Sequence, residues 1–151
     1  MSFKKILLPT DGSEYTKNAV HKAIELAELS GGSITALFVL DKSIYVNSPM
    51  DAAVTMVNVH EVIEKEGRCA TGYAAEKAKE AGVELEEKHI DGTPAAIILQ
   101  EAEAGEYDII VMASLGRTGI SKLLMGSVTE KIVRSAKCPV MVIKTPPPAK
   151  E

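Results

Sequence analysis

Ile6-Leu7-Leu8-Pro9-Thr10-Asp11-Gly12-Ser13 is the stretch on which the fold turns. Three consecutive apolar residues without polar alternation read as a short strand covered on both faces. Pro9 closes it. Asp11 and Gly12 suit a turn, and Ser13 suits the cap of a helix running to about Leu29. Val20, Ala23, Ile24 and Ala27 then fall on one face of that helix. Gly31-Gly32 stops it.

The same unit recurs along the chain. Apolar runs follow at Ile34 to Leu40, Ile109 to Met112 and Val140 to Ile143. Val83 to Ile90 alternates and is more polar, so it reads as an edge strand. A helix is expected from about Val57 to Ala81, ending at Gly82. Thr93-Pro94 opens another, with proline at the first helical position, where its missing N–H costs nothing. A last helix begins at Ser127 and ends before Pro139. Strand and helix in strict alternation predict an α/β fold with a doubly wound parallel sheet. In such sheets the ligand crevice lies at the carboxyl ends of the strands, at a switch in strand order. The loops after strands one, two and four are therefore the ones to read.

Two segments fall outside this plan. Ser43 to Met56, with Asp51 as its one charged residue, reads as an insertion after strand two that can act as a lid. The proline-rich residues 145–151 read as a disordered tail behind a single domain of residues 1–144.

Composition narrows the classes of partner. The net charge of −4 excludes the chain as a whole from matching nucleic acid or an acidic membrane surface. No apolar stretch approaches a bilayer span, and the N-terminus has neither the apolar core nor the cleavage site of a signal peptide, so the expected location is cytoplasmic. Cys69 and Cys138 lie far apart and do not suggest a disulfide framework. His21, His60 and His89 have no metal-ligand spacing.

Several chemical motifs are missing. Gly-x-Gly-x-x-Gly does not follow strand one, and neither a P-loop nor a Gly-x-Ser-x-Gly nucleophile elbow occurs. After strand four, however, comes Ala113-Ser114-Leu115-Gly116-Arg117-Thr118-Gly119, and then Gly126-Ser127-Val128-Thr129-Glu130. A glycine-bearing loop that ends at a helix N-terminus can hold an anion on the free N–H groups of the helix. Arg117 can add charge, and Ser127 or Ser121 a hydroxyl. Ser127-Val128-Thr129-Glu130 is also a capping box, which would start a helix without any ligand. Asp11 likewise has two readings: a carboxylate facing the crevice for a ribose or adenine group, or the acceptor of an Asx turn.

These motifs together resemble the universal stress protein family. Lys4 to Ser13 is similar to the family's opening, Asp91-Gly92-Thr93-Pro94 to its turn after strand three, and Cys138 to Ile143 to its closing strand. Gly116, nine residues, Gly126 and Ser127 match the second half of its phosphate loop. The resemblance covers about residues 2–144. It implies a five-stranded parallel sheet with helices on both faces, similar to the adenine nucleotide alpha-hydrolase and Rossmann-like folds. It implies ATP as ligand, with Mg or Mn on the phosphates. Adenine would lie near Asp11, the backbone around Val39, and Met112. Ribose would lie by Pro9, Thr10 and Gly126, and phosphates on Gly116, Arg117, Ser127 and Val128. A homodimer through Val140 to Ile143 is also implied, and is consistent with the tendency of a bare apolar edge to pair.

One position departs from the family pattern. Ala113 stands where the family's loop begins with glycine. If that position needs a positive φ, alanine costs on the order of 1 kcal/mol, a weakening of about fivefold. Three functions follow: an ATP-dependent switch read by a protein partner, with at most slow hydrolysis; a dimeric interaction module that has lost ATP; and an enzyme that adenylates a substrate.

Overall fold

The computed structural model describes residues 2–45, 52–115 and 125–144, without the side chains of residues 44, 45 and 52–58. Its strands are β1 (Lys5–Pro9), β2 (Ser33–Leu40), β3 (Leu85–Asp91), β4 (Ile109–Ala113) and β5 (Val140–Ile143). They form one parallel sheet in the order β3-β2-β1-β4-β5. The helices are α1 (Glu14–Ser30), α2 (Ala52–Ala81), α3 (Pro94–Ala104) and α4 (Ser127–Ser135). The expected doubly wound sheet is thus present, with β3 at one edge and β5 at the other.

The strict alternation of side chains along a strand sorts the core into two layers. Ile109, Val111 and Ala113 of β4 join Ile6, Leu8, Val20 and Ala74 on the face covered by α1 and α2. Ile110 and Met112 join Leu7, Leu37, Ile98 and Ile132 on the face covered by α3 and α4. β1 lies at the middle of both layers, and Ile6, Leu7 and Leu8 are wholly buried.

Chain order reverses between β1 and β4. From β1 the chain builds outward through β2 to β3, then returns to the other side of β1 as β4 and β5. Crossovers to opposite sides leave a gap above the carboxyl ends of β1 and β4, which is where such folds hold ligands.

Several expected boundaries shift. α2 starts at Ala52 rather than Val57, and a 3-10 turn spans Lys42–Tyr45, so part of the expected insertion is regular structure. Residues 46–51 of that insertion and the tail 145–151 lie outside the described residues. β3 begins at Leu85, not Val83, because the Val83 N–H donates to the Ala78 carbonyl (2.8 Å) and is used in closing α2. Gly31, at φ 71°, adopts the left-handed conformation that ends α1 and admits glycine without strain. Ser13 does occupy the cap position of α1, yet its side chain makes no capping bond and its Oγ is buried without a partner among the described residues. The turn is held instead by Asp11 and Thr16, as described below.

Among the described residues no helix is long and apolar enough to cross a membrane.

Candidate functional site

The carboxyl ends of β1, β2 and β4 and the start of α4 enclose a crevice of about 320 Å³. That size is at the lower end for a small-molecule site. Its floor and one wall are apolar, with Leu37, Val39, Ile98, Met112 and Val128.

The loop from β1 to α1 forms a second wall. The Thr10 N–H donates to the Leu37 carbonyl (2.9 Å) and so extends the β1–β2 ladder by one residue. The Thr10 and Thr16 hydroxyls lie 3.2 Å apart, and Thr16 Oγ1 donates to the Ser13 carbonyl (2.9 Å). Asp11 Oδ1 accepts the Ser13 N–H at 2.9 Å, so the Asx turn is formed. Asp11 also lines the crevice, so forming the turn does not remove it from there. Gly12 has φ +80°, and a Cβ there would meet the Ala70 Cβ at 3.2 Å. This turn therefore requires glycine on two counts.

The third wall is the start of α4. The cap residue is Gly126 rather than Ser127. The Gly126 N–H donates to the Ser114 carbonyl (2.8 Å), and the Gly126 carbonyl accepts the Glu130 N–H (2.9 Å). The expected capping box is therefore not formed. Its geometry needs Ser127 Oγ to accept from the backbone of Glu130, but that N–H already serves Gly126 one residue earlier. The Glu130 carboxylate pairs instead with Arg134 (2.8 Å). Ser127 is left at the first helical position, exposed on the crevice wall. The N–H groups of Ser127, Val128 and Thr129 have no partner among the described residues. They are the unpaired donors at the positive end of the helix dipole.

Ala113 lies in β4, in register with Ile143, and is 4% exposed. Among the described residues, the non-glycine positions with positive φ are Phe3 and Glu106. The condition under which alanine would strain the loop is thus not met. The Ala113 methyl belongs to the α1–α2 core layer.

The crevice therefore brings together Pro9, Thr10, Asp11, Val39, Met112, Ala113, Gly126, Ser127 and Val128. Gly116 and Arg117 lie outside the described residues. Asp41, which the sequence reading passed over, also lines the crevice; its Oδ1 accepts the Ser43 N–H (3.0 Å) and hydroxyl (2.5 Å). It could have been found by the rule that found Asp11, since both follow the carboxyl end of a strand. Among the described lining residues, the charged groups are these two carboxylates, and no lysine or arginine joins them. The chemistry on offer there is hydrogen bonding from backbone N–H groups and hydroxyls beside an apolar slot. Among the described residues no group of three or more His, Cys, Asp or Glu side chains is placed to hold a metal ion.

The groups with shifted titration stand away from the crevice. Burial pushes Tyr107 and Cys138 up, and the hydrogen bond from Lys88 to Glu101 (2.6 Å) raises the lysine.

A family model described as the universal stress protein family matches residues 2–144. A relative in Methanocaldococcus jannaschii, universal stress protein MJ0531, is 35% identical over 144 residues, covering 95% of this chain and 84% of the relative. The solved structure of universal stress protein UspA from Lactobacillus plantarum superposes with a TM-score of 0.79 at 25% identity, covering 95% of this chain and 99% of that one. A universal stress protein family protein from Arabidopsis thaliana, solved with AMP bound, gives 0.69 at 22% identity, covering 95% and 93%.

Proposed function

Because the chain belongs to the universal stress protein family, we propose that its crevice binds an adenine nucleotide, ATP in the first instance, and that the bound nucleotide acts as a switch. The observation that carries this reading is the pairing of an apolar slot with three open N–H groups of α4 in one crevice. A flat heterocycle fits the slot, and an anion fits the N–H groups. The Arabidopsis neighbour holds AMP, but at 22% identity that likeness is one of fold. The reading for this chain therefore rests on its own residues.

In this reading the adenine lies between Met112 and the backbone at Val39, with Asp11 at its edge. The ribose sits against Pro9, Thr10 and Gly126. Ser127 and Val128 take phosphate oxygens, and Gly116 and Arg117 complete that end. The two carboxylates of the crevice repel phosphate, so the helix N-terminus carries the attraction among the described groups. In this reading the Mg or Mn ion sits on the phosphates of the nucleotide. A cytoplasmic homodimer joined along Val140 to Ile143, whose nucleotide-ordered surface is read by a protein partner, completes the proposal.

The direct test is mass spectrometry of ligand released from freshly purified protein, together with titration of the stripped protein with ATP and Mg²⁺. Adenine nucleotide in the released fraction, or saturable ATP binding, supports the reading. Neither being seen returns the chain to the interaction-module function.

Ala113 supplies a second measurement. Ala113→Gly is expected to leave ATP affinity within about twofold, since there is no positive-φ strain to relieve. It is expected to cost about 1 kcal/mol of stability, because a strand glycine loses more conformational freedom on folding. Calorimetry and thermal melts of the variant measure both. A large gain in affinity would show that the methyl group obstructs the ligand.

A further inference from the structure

We infer that Thr129 is a positioning residue for the phosphate end of the crevice, setting affinity for charged nucleotides through its hydroxyl bond to β4. The inference rests on the nucleotide reading above and adds a residue that the phosphate-loop resemblance does not include.

Thr129 is 3% exposed, in the first turn of α4. Its Oγ1 donates to the Ala113 carbonyl at 2.9 Å. A helical threonine commonly returns its hydroxyl to a carbonyl of its own preceding turn. Here the bond crosses to the last residue of a strand and pins the helix start to the sheet. Two further bonds brace the same corner: the Gly126 N–H to the Ser114 carbonyl (2.8 Å), and the Ser114 N–H to the Ile143 carbonyl (3.0 Å). The open N–H groups of Ser127 and Val128 are therefore aimed by a bridge running from α4 through Ala113 and Ser114 to β5. Oriented donors bind an anion better than donors that must be ordered on binding. Removing the Thr129 hydroxyl also leaves a buried carbonyl unpaired, which favours a shift of the helix start away from β4.

The test compares wild type, Thr129→Val and Thr129→Ser by calorimetric titration with Mg-ATP and with adenosine, alongside thermal melts. Thr129→Val is expected to lose about tenfold in ATP affinity, with adenosine affinity unchanged and Thr129→Ser close to wild type. Equal loss of ATP and adenosine, or unchanged ATP affinity in Thr129→Val, overturns the inference. Loss in Thr129→Ser equal to that in Thr129→Val does so too. Wild-type protein that binds neither ligand removes the nucleotide reading and this inference with it. Wild-type binding with an indifferent Thr129→Val removes this inference alone. If Thr129→Val does not fold, Thr129→Ala takes its place, since the vacated space can admit a water to the Ala113 carbonyl without restoring the bridge.

Discussion

Gly126→Val is expected to lower ATP affinity by about a hundredfold while the melting temperature stays close to that of wild type. The figure comes from two charge-assisted bonds at about 1.5 kcal/mol each, those of Ser127 and Val128 to phosphate. A branched side chain at the cap position would stand where the phosphate approaches those N–H groups. The backbone itself should tolerate the change, because Gly126 sits at φ −60° and ψ 155°, an extended conformation open to any residue. Its N–H bond to Ser114 and its carbonyl bond from Glu130 use only main-chain atoms and persist in valine. The variant thus separates binding from folding. Titration calorimetry with Mg-ATP and a thermal melt on the same sample give both readings. Wild-type affinity in Gly126→Val would remove the α4 N-terminus from the site.

The second large effect concerns the sheet. Leu8→Ala is expected to cost about 3 kcal/mol, a fall of roughly 10 °C in melting temperature. Leu8 is fully buried in the middle strand and belongs to the layer of Ile6, Val20, Ala23 and Ile24. Strands flank β1 on both sides and a helix covers Leu8, so the cavity has little room to collapse. Leu29→Ala, at a side chain 81% exposed on α1, is the control and should stay within about 0.5 kcal/mol of wild type. Thermal and denaturant melts distinguish the two. Similar losses at both positions would mean that the β1 layer is not the centre of the core.

Much of this was legible before any coordinates. The runs at Ile6, Ile34 and Ile109 are continuous and apolar because both faces of their strands are covered, and that is enough to propose a parallel sheet. The run at Val140 is equally apolar, yet β5 is an edge strand on which Met141 is 37% exposed. β3 was legible as an edge because its run is more polar, and none of its residues is buried. The strand-end rule pointed to Asp11 and to the loop after β4, while Pro9, Thr10, Val39 and Met112 came from the family resemblance; Asp41 obeys the same strand-end rule.

What escaped was local competition for single hydrogen bonds. Ser127 and Glu130 have capping-box spacing, but Gly126 bonds first and the box is not used. Ser13 has the right identity for a cap, yet its hydroxyl makes no bond while Asp11 and Thr16 hold the turn. Val83 belongs to the strand by pattern and to the end of α2 by hydrogen bonding. In each case two partners of equal chemistry lie within reach along the chain, and differences below about 1 kcal/mol choose between them.

By itself, then, the sequence determined the family, the order of strands and helices, and the glycine-bearing turn beside the crevice. These depend on the periodicity of burial and on the side chain each position needs, and both are written residue by residue. Tertiary structure alone decided that Ala113 is unstrained, that Ser127 is free of a capping role, and that Thr129 ties α4 to β4. Those outcomes depend on where β4, β5 and α4 meet, segments brought together only by the closed sheet, and no spacing along the chain encodes that distance.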